Sequence, residues 1–149
     1  DEHSLEVQLP FLQVVLGKFN VVPIVFHEYT LENCENLAKA ITKYCSAENT
    51  VVIASTDLYH GYSYKECVRM DGLTIESIKN GDAAEFLKGS NNNMYQACGA
   101  GPVAALMLAA NGWGGSQIEL VAQTNSSDVT GKKDDWTVGY ASLVAFQKN

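Results

Sequence analysis

The stretch that decides the fold is Val51-Val52-Ile53-Ala54-Ser55, followed at once by Thr56-Asp57-Leu58-Tyr59-His60-Gly61. Residues 51–54 are uncharged and rich in β-branched side chains, which is typical of a strand buried on both faces of a parallel sheet. In open α/β sheets, reactive groups collect at the carboxyl ends of the strands. Asp57 and His60 are therefore a candidate acid–base or metal-site pair. The alternative is that Asp57 caps a turn and His60 makes an ordinary polar contact.

The composition indicates one folded domain over residues 1–149. Hydrophobic residues make up 46% of the chain and charged residues 18%, as in globular proteins. The net charge is −7 without any basic stripe, so no nucleic-acid partner is expected. No apolar run approaches the ~20 residues of a membrane span, and no signal segment opens the chain, so no membrane partner is expected either.

Hydrophobic periodicity and breaker residues predict alternating helices and strands. Helices are predicted over 4–16, 31–44, 65–79, 83–87 and 102–110, with Pro10 kinking the first helix or marking its true first turn. Strands are predicted over 21–26, 51–54, 118–123 and 137–146, with loops over 89–93 and 124–135. Such alternation predicts an α/β fold with a mixed sheet covered on both faces.

Three of the four cysteines lie in predicted helical segments, where a buried or half-buried structural thiol is expected: Cys34, Cys45 and Cys67. No pair has the spacing of a redox or zinc motif. A chain with a real core does not need disulfides, so reduced thiols and a cytoplasmic location are expected.

The fourth, Cys98, opens the segment Cys98-Gly99-Ala100-Gly101-Pro102. Its small residues allow a close backbone approach, and the helix predicted after it points free N–H groups at the loop. That setting favours the thiolate, which is both a nucleophile and a metal ligand. The alternative is a small apolar thiol in a tight turn.

Three weaker features complete the candidates. The chain opens on Asp1-Glu2-His3-Ser4, dense in functional groups and without an initial Met, which suggests a piece of a longer protein. His27 follows a predicted strand and is interpreted as a surface or packing residue. The segment from Ser126 to Gly131 resembles a phosphate or substrate loop only loosely, since it lacks the P-loop pattern.

Taken together, these motifs resemble the Memo family, also known as the AmmeMemoRadiSam system protein B family. The resemblance rests on five segments in family order: Asp1-Glu2-His3-Ser4-Leu5-Glu6 with Leu9-Pro10-Phe11, Ser55-Thr56-Asp57-Leu58-Tyr59-His60, Cys98-Gly99-Ala100-Gly101-Pro102, residues 126–131, and Val138-Gly139-Tyr140-Ala141. They cover essentially the whole chain.

The resemblance implies a three-layer α/β/α sandwich, because the family is similar in fold to the class III extradiol (LigB-type) dioxygenases, which use non-haem iron. It also implies a metal pocket in which Cys98 joins two histidines of an N-terminal half. His60 matches an acid–base histidine with Asp57 beside it, and His3 matches a further pocket histidine.

The two metal-binding histidines of the family's first half have no counterpart in this sequence, which matches the C-terminal half only. With His60 in the acid–base role, Cys98 and His3 are an incomplete ligand set, since catalytic metals usually have about three protein ligands. Either another polypeptide or segment supplies the rest, or the chain is chemically silent. A cysteine ligand also favours softer metals, so iron, copper and zinc are all candidate cofactors.

Three functions follow as hypotheses. In the first, Cys98 and His3 bind a metal, His60 moves protons and Asp57 orients it, in oxidative chemistry on a small organic substrate. In the second, Cys98 is the nucleophile of a metal-free enzyme acting on an acyl or amide substrate, with His60 as base and Asp57 as orienter. In the third, the pocket binds a peptide or a protein partner without chemistry.

Overall fold

A computed structural model describes residues 3–115 and 117–147. Asp1 and Glu2, which belong to the first motif, lie outside the described residues. The elements follow in the order α1 Leu9–Leu16, α2 Leu31–Tyr44, β1 His60–Gly61, α3 Tyr64–Lys79, α4 Ala83–Asn91, α5 Ala100–Gly112, β2 Gln117–Asn125, α6 Ser126–Thr130 and β3 Thr137–Phe146. The mixed α/β class is thereby confirmed.

The first two helices begin where local chemistry sets them. Pro10 lies in the first turn of α1, where its missing N–H costs nothing, so the helix begins at Leu9 and is shorter than predicted. The prediction for α2 is confirmed at both ends. The Thr30 side chain accepts a hydrogen bond from the backbone N–H of Asn33, which satisfies a donor of the first turn.

The next three helices differ from prediction mainly at their ends. Helix α3 begins one residue early, after the cap Ser63. Helix α4 is longer than expected and runs to Asn91, through most of the predicted loop over 89–93. Helix α5 begins at Ala100, so Pro102 is its third residue, where no intrahelical N–H is needed.

The described strands form an antiparallel sheet in the order β1-β3-β2. His60 pairs with Val138 and Gly61 with Thr137, while Gln117 to Asn125 pairs with Phe146 back to Gly139 across an irregularity between Leu120 and Ala122. Both C-terminal strand predictions are confirmed. The predicted loop over 124–135 contains the short helix α6.

Two strand predictions are wrong. Residues 21–26 and 51–54 form no strand, and the burial expected of the second segment fails, since Val51 is 70% exposed. Their apolar composition is that of a strand, but no neighbouring described strand pairs with their backbone. The parallel component of the predicted mixed sheet is therefore not formed within the described ranges.

The core surrounds α5, which is buried along most of its length and packs against α2 and α4. Ala104 and Ala105 are almost fully inaccessible, and they meet Phe86 of α4 and Cys34 of α2 in one hydrophobic cluster. Small side chains allow the helices to approach closely, so α5 is a fixed base for the loop before it. No helix within the described ranges is long and apolar enough to cross a membrane.

Candidate active site

Backbone pairing with β3 fixes the segment that bears Asp57 and His60. The Leu58 N–H donates to the Gly139 carbonyl at 2.9 Å, and the Gly139 N–H donates to the Tyr59 carbonyl at 2.8 Å. Leu58 and Tyr59 are buried, whereas His60 is exposed and Asp57 is partly exposed. The pairing therefore anchors two apolar residues and leaves the two titratable ones accessible.

Asp57 and His60 come together as predicted. Asp57 Oδ2 lies 3.5 Å from His60 Nε2, and the two side chains are 48% and 39% exposed. An exposed pair of this kind adds only about 0.2–1 kcal/mol to stability. Its use is geometric, because a carboxylate beside an imidazole fixes the ring orientation that proton transfer needs.

Cys98 lies on the other side of Asp57. The Asp57 N–H donates to Cys98 Sγ at 3.1 Å across 41 residues of sequence, and the Cys98 N–H donates to the Asp57 carbonyl at 3.1 Å. Thr56 Oγ1 lies 3.7 Å from the same sulfur. The thiol is exposed, and an N–H donor directed at the sulfur suits a thiolate.

Gly99 permits this close approach. A Cβ at this position would lie 2.6 Å from the Ser55 carbonyl oxygen and 2.8 Å from Thr56 Cβ. The Gly99 N–H donates to Thr56 Oγ1 at 2.8 Å. Gly99 is also the residue before α5, whose start has no side-chain cap. The small residues predicted to allow a close approach thus serve contact with the 55–57 segment.

Two tyrosines complete the site and were not predicted to take part in it. The Tyr29 hydroxyl donates to the Cys98 carbonyl at 2.7 Å across 69 residues. Burial, and then the Asp57 charge, raise the pKa of Tyr140 above its ordinary value of 10.0. No local pattern marks Tyr29, whereas Tyr140 lies in a motif that carried the family resemblance.

An aromatic pair lies beside His60. The rings of Tyr62 and Trp136 meet edge to face with centroids 4.8 Å apart, and both side chains are exposed. Gly61 pairs with Thr137, and Tyr62 and Trp136 lie one position beyond this last pair of the two strands. The sequence signal was two aromatic residues, each next to a strand residue, but their pairing depends on the register.

The two buried thiols have raised pKa values. Burial, and then the charge of Asp71, raise the pKa of Cys67 to about 12, and burial raises the pKa of Cys34 as well. Both agree with the predicted structural role. Cys45 is exposed, so the expectation of burial for it is wrong, because it follows the last residue of α2 at the surface.

The remaining candidates lie outside this cluster. His3 Nδ1 contacts Glu6, and the His3 side chain is 72% exposed. His27 is exposed, as predicted. In the segment from Ser126 to Gly131, the hydroxyl of Ser127 is buried against Thr137 at 2.5 Å, and this contact joins α6 to β3. That segment has a structural role in the described fold.

A model of the family described as Memo-like protein matches residues 1–144 of the chain. The chain belongs to the Memo family. This Memo chain is 39% identical to a MEMO1 family protein of Aeropyrum pernix over 145 residues, which are 95% of this chain and 51% of that protein. It is 37% identical to one of Methanopyrus kandleri over 147 residues, with 97% and 52% covered. It is 36% identical to a MEMO1 family protein of Pyrobaculum aerophilum over 148 residues, which are 98% of this chain and 52% of that protein.

The family prediction made from five motifs is therefore confirmed. The Memo chain spans about half the length of the curated relatives it matches. The names of these relatives state membership of the family and no activity. The chemistry has to be argued from the site itself.

Proposed function

We propose that this Memo chain supplies the thiol and the proton-transfer groups of a pocket that acts on a small organic substrate. The observation that carries the proposal is the double contact of Asp57. Its backbone N–H lies 3.1 Å from Cys98 Sγ, and its carboxylate lies 3.5 Å from His60 Nε2. One residue thus links a soft nucleophile to an acid–base pair, in an accessible position.

Each residue has a distinct role in this proposal. The Asp57 carboxylate lies beside the His60 ring and orients it, and His60 takes a proton from the substrate or returns it. The Tyr140 phenol, kept protonated beside Asp57, is a further donor. Tyr62 and Trp136 offer an exposed apolar surface next to His60, which suits the body of an organic molecule.

A metal is implied by the family, but the described residues do not form a complete site for one. Within residues 3–115 and 117–147, no three His, Cys, Asp or Glu side chains are close enough to hold a metal ion. Cys98 offers one soft ligand, and iron, copper or zinc would need further ligands from outside the described residues. His3 would have to leave Glu6 to become one.

A metal-free hydrolase is less well supported. In the described structure the thiol contacts the Asp57 amide and the Thr56 hydroxyl, and His60 is not among its hydrogen-bond partners. A nucleophile–base pair needs direct contact or one bridging water. The LigB-like three-layer sandwich and a protein or peptide partner stay part of the proposal because of the family resemblance. The cytoplasmic location stays part of it because the cysteines lack disulfide or metal spacing.

Alkylation of the thiols tests the proposed site. The chain is treated with iodoacetamide at pH 7, and labelling of Cys98 and Cys45 is followed by peptide mass spectrometry. Both thiols are exposed, so Cys45 is an internal control without the Asp57 contact. We expect Cys98 to react about tenfold faster, because its sulfur contacts the Asp57 N–H next to the Asp57–His60 pair. Equal rates would overturn the proposal that this is an activated thiol.

The acid–base part needs a separate variant. His60→Gln keeps a polar side chain of similar reach but cannot carry a proton between neutral and charged forms. Small organic molecules are screened with the longest available form of the protein for binding and for conversion to a product. A molecule that the wild type converts should still bind to His60→Gln but should no longer be converted. Unchanged conversion would exclude His60 as the proton carrier.

A further inference from the structure

We propose that Asp71 is a buried positioning residue that holds His60 in the orientation needed for proton transfer, an inference that rests on the proposed function. Asp71 lies in the middle of α3 and is 1% exposed. Its Oδ1 accepts a hydrogen bond from the backbone N–H of Tyr59 at 3.0 Å. Tyr59 directly precedes His60, so the carboxylate fixes the Leu58–Tyr59 peptide, one residue before the one that carries the imidazole.

The carboxylate occupies a place where an apolar side chain would be expected. Other residues on the same buried side of α3 include Met70, Ile75 and Ile78. Burying a carboxylate is costly unless its oxygens are satisfied. Besides the Tyr59 N–H, Asp71 accepts a hydrogen bond from the Cys67 thiol at 3.3 Å through Oδ2. Both carboxylate oxygens therefore have hydrogen-bond partners. The partner of Oδ1 is the backbone N–H of Tyr59, the residue before His60.

Gly139 of β3 closes the arrangement from the other side. A Cβ at position 139 would lie 2.0 Å from Asp71 Oδ2, so any side chain would displace the carboxylate. Gly139 also exchanges backbone hydrogen bonds with Leu58 and Tyr59. The peptides on either side of the Leu58–Tyr59 peptide are thereby held by β3, and the Leu58–Tyr59 peptide itself is held by α3 through Asp71.

The surroundings of the Asp71 carboxyl act on its pKa in opposite directions. Burial raises the pKa of the Asp71 carboxyl, and the Tyr59 N–H, the Cys67 thiol and the His60 charge oppose that rise. Asp71 has no access to a substrate, so it is a positioning residue.

Two γ-branched substitutions separate the positioning hydrogen bond from simple space filling. Asp71→Asn keeps an oxygen for the Tyr59 N–H, whereas Asp71→Leu keeps the branched shape and removes the acceptor. Cys67→Ser, in the same buried cluster, keeps a donor for Asp71 and is the matched control. The readouts are the ring ¹⁵N–¹H signals of His60 and the exchange rate of the Tyr59 amide with D₂O.

We expect the His60 ring signals of Asp71→Asn and Cys67→Ser to match the wild type, and those of Asp71→Leu to shift. The signals of His27 should stay in place in all three as an internal reference. The Tyr59 amide should exchange about tenfold faster in Asp71→Leu. A folded Asp71→Leu protein with unchanged His60 signals would overturn the proposal.

If Asp71→Leu does not fold, the exchange rate of the Tyr59 amide in the wild-type protein still tests the proposal. A Tyr59 amide that exchanges as slowly as the core amides of α5 supports the proposal, and one that exchanges as fast as an exposed amide overturns it. Alkylation of Cys98 in the same samples reports on the proposed function separately. Slow labelling with His60 signals as expected would reject the activated thiol and leave the role of Asp71 standing.

Discussion

Replacing Gly99 with alanine should break the link between Cys98 and Asp57. The added methyl carbon would lie 2.6 Å from the Ser55 carbonyl oxygen and 2.8 Å from Thr56 Cβ, which is closer than such atoms approach in folded proteins. The Ser55 oxygen is a backbone atom and Thr56 Cβ is attached directly to the backbone, so neither can rotate away and the 55–57 segment or the start of α5 has to move. Overpacking of this kind costs about 1–3 kcal/mol of unfolding free energy.

Urea denaturation measures that cost, and alkylation of Cys98 measures the loss of the Asp57 contact. Gly72→Ala is the matched control, because a Cβ on that residue of α3 meets nothing within 4 Å. It should stabilise the protein by about 0.5–1 kcal/mol, as alanine does within helices. A Gly99→Ala protein with wild-type stability and wild-type labelling of Cys98 would refute the reasoning.

Three further outcomes are expected. Tyr29→Phe removes the hydroxyl that donates to the Cys98 carbonyl at 2.7 Å and should lower the unfolding free energy by about 0.5–1.5 kcal/mol. Urea denaturation measures this loss, and an unchanged unfolding free energy would disprove the contribution of this hydrogen bond. The Cys67 pKa of about 12 in the folded protein, against 9.0 ordinarily, gives stability that is present below pH 9 and lost as the pH rises from 9 to 12. Cys67→Ala should therefore lose stability less steeply over that range, and an equally steep fall would contradict this. After incubation with zinc or copper and dialysis, the chain should retain well under one equivalent by mass spectrometry, because the described residues offer no group of three ligands. One retained equivalent that Cys98→Ala loses would show that a complete site exists.

The helices followed from the sequence because their signals are local. The bounds of α2 were predicted at both ends, and the Thr30 cap was found in place. The same holds for β3. Strand formation also needs a neighbour, so an apolar composition alone misled at residues 21–26 and 51–54. The helix α4 was predicted too short because a run of small polar residues resembled a loop.

The candidate site divides in the same way. Asp57 and His60 are three residues apart, so their contact could be predicted, and Cys98 was marked by its small neighbours. The contribution of Asp71 could not be predicted, because the sequence shows only one more acidic residue in an amphipathic helix. Its role depends on the packing of α3 against β3, which brings Gly139 and Tyr59 to the same carboxylate.

The sequence by itself determined the family, both ends of α2, one end each of α1, α3 and α4, and the residue types available for chemistry, because motifs, caps and breakers act over a few residues. Only the tertiary structure decided which of these residues meet. The Asp57 amide reaches the Cys98 sulfur across 41 residues, and the Tyr29 hydroxyl reaches the Cys98 carbonyl across 69. Such contacts depend on strand register and helix packing, which are set by the burial of the whole core and leave no trace in any short stretch of sequence.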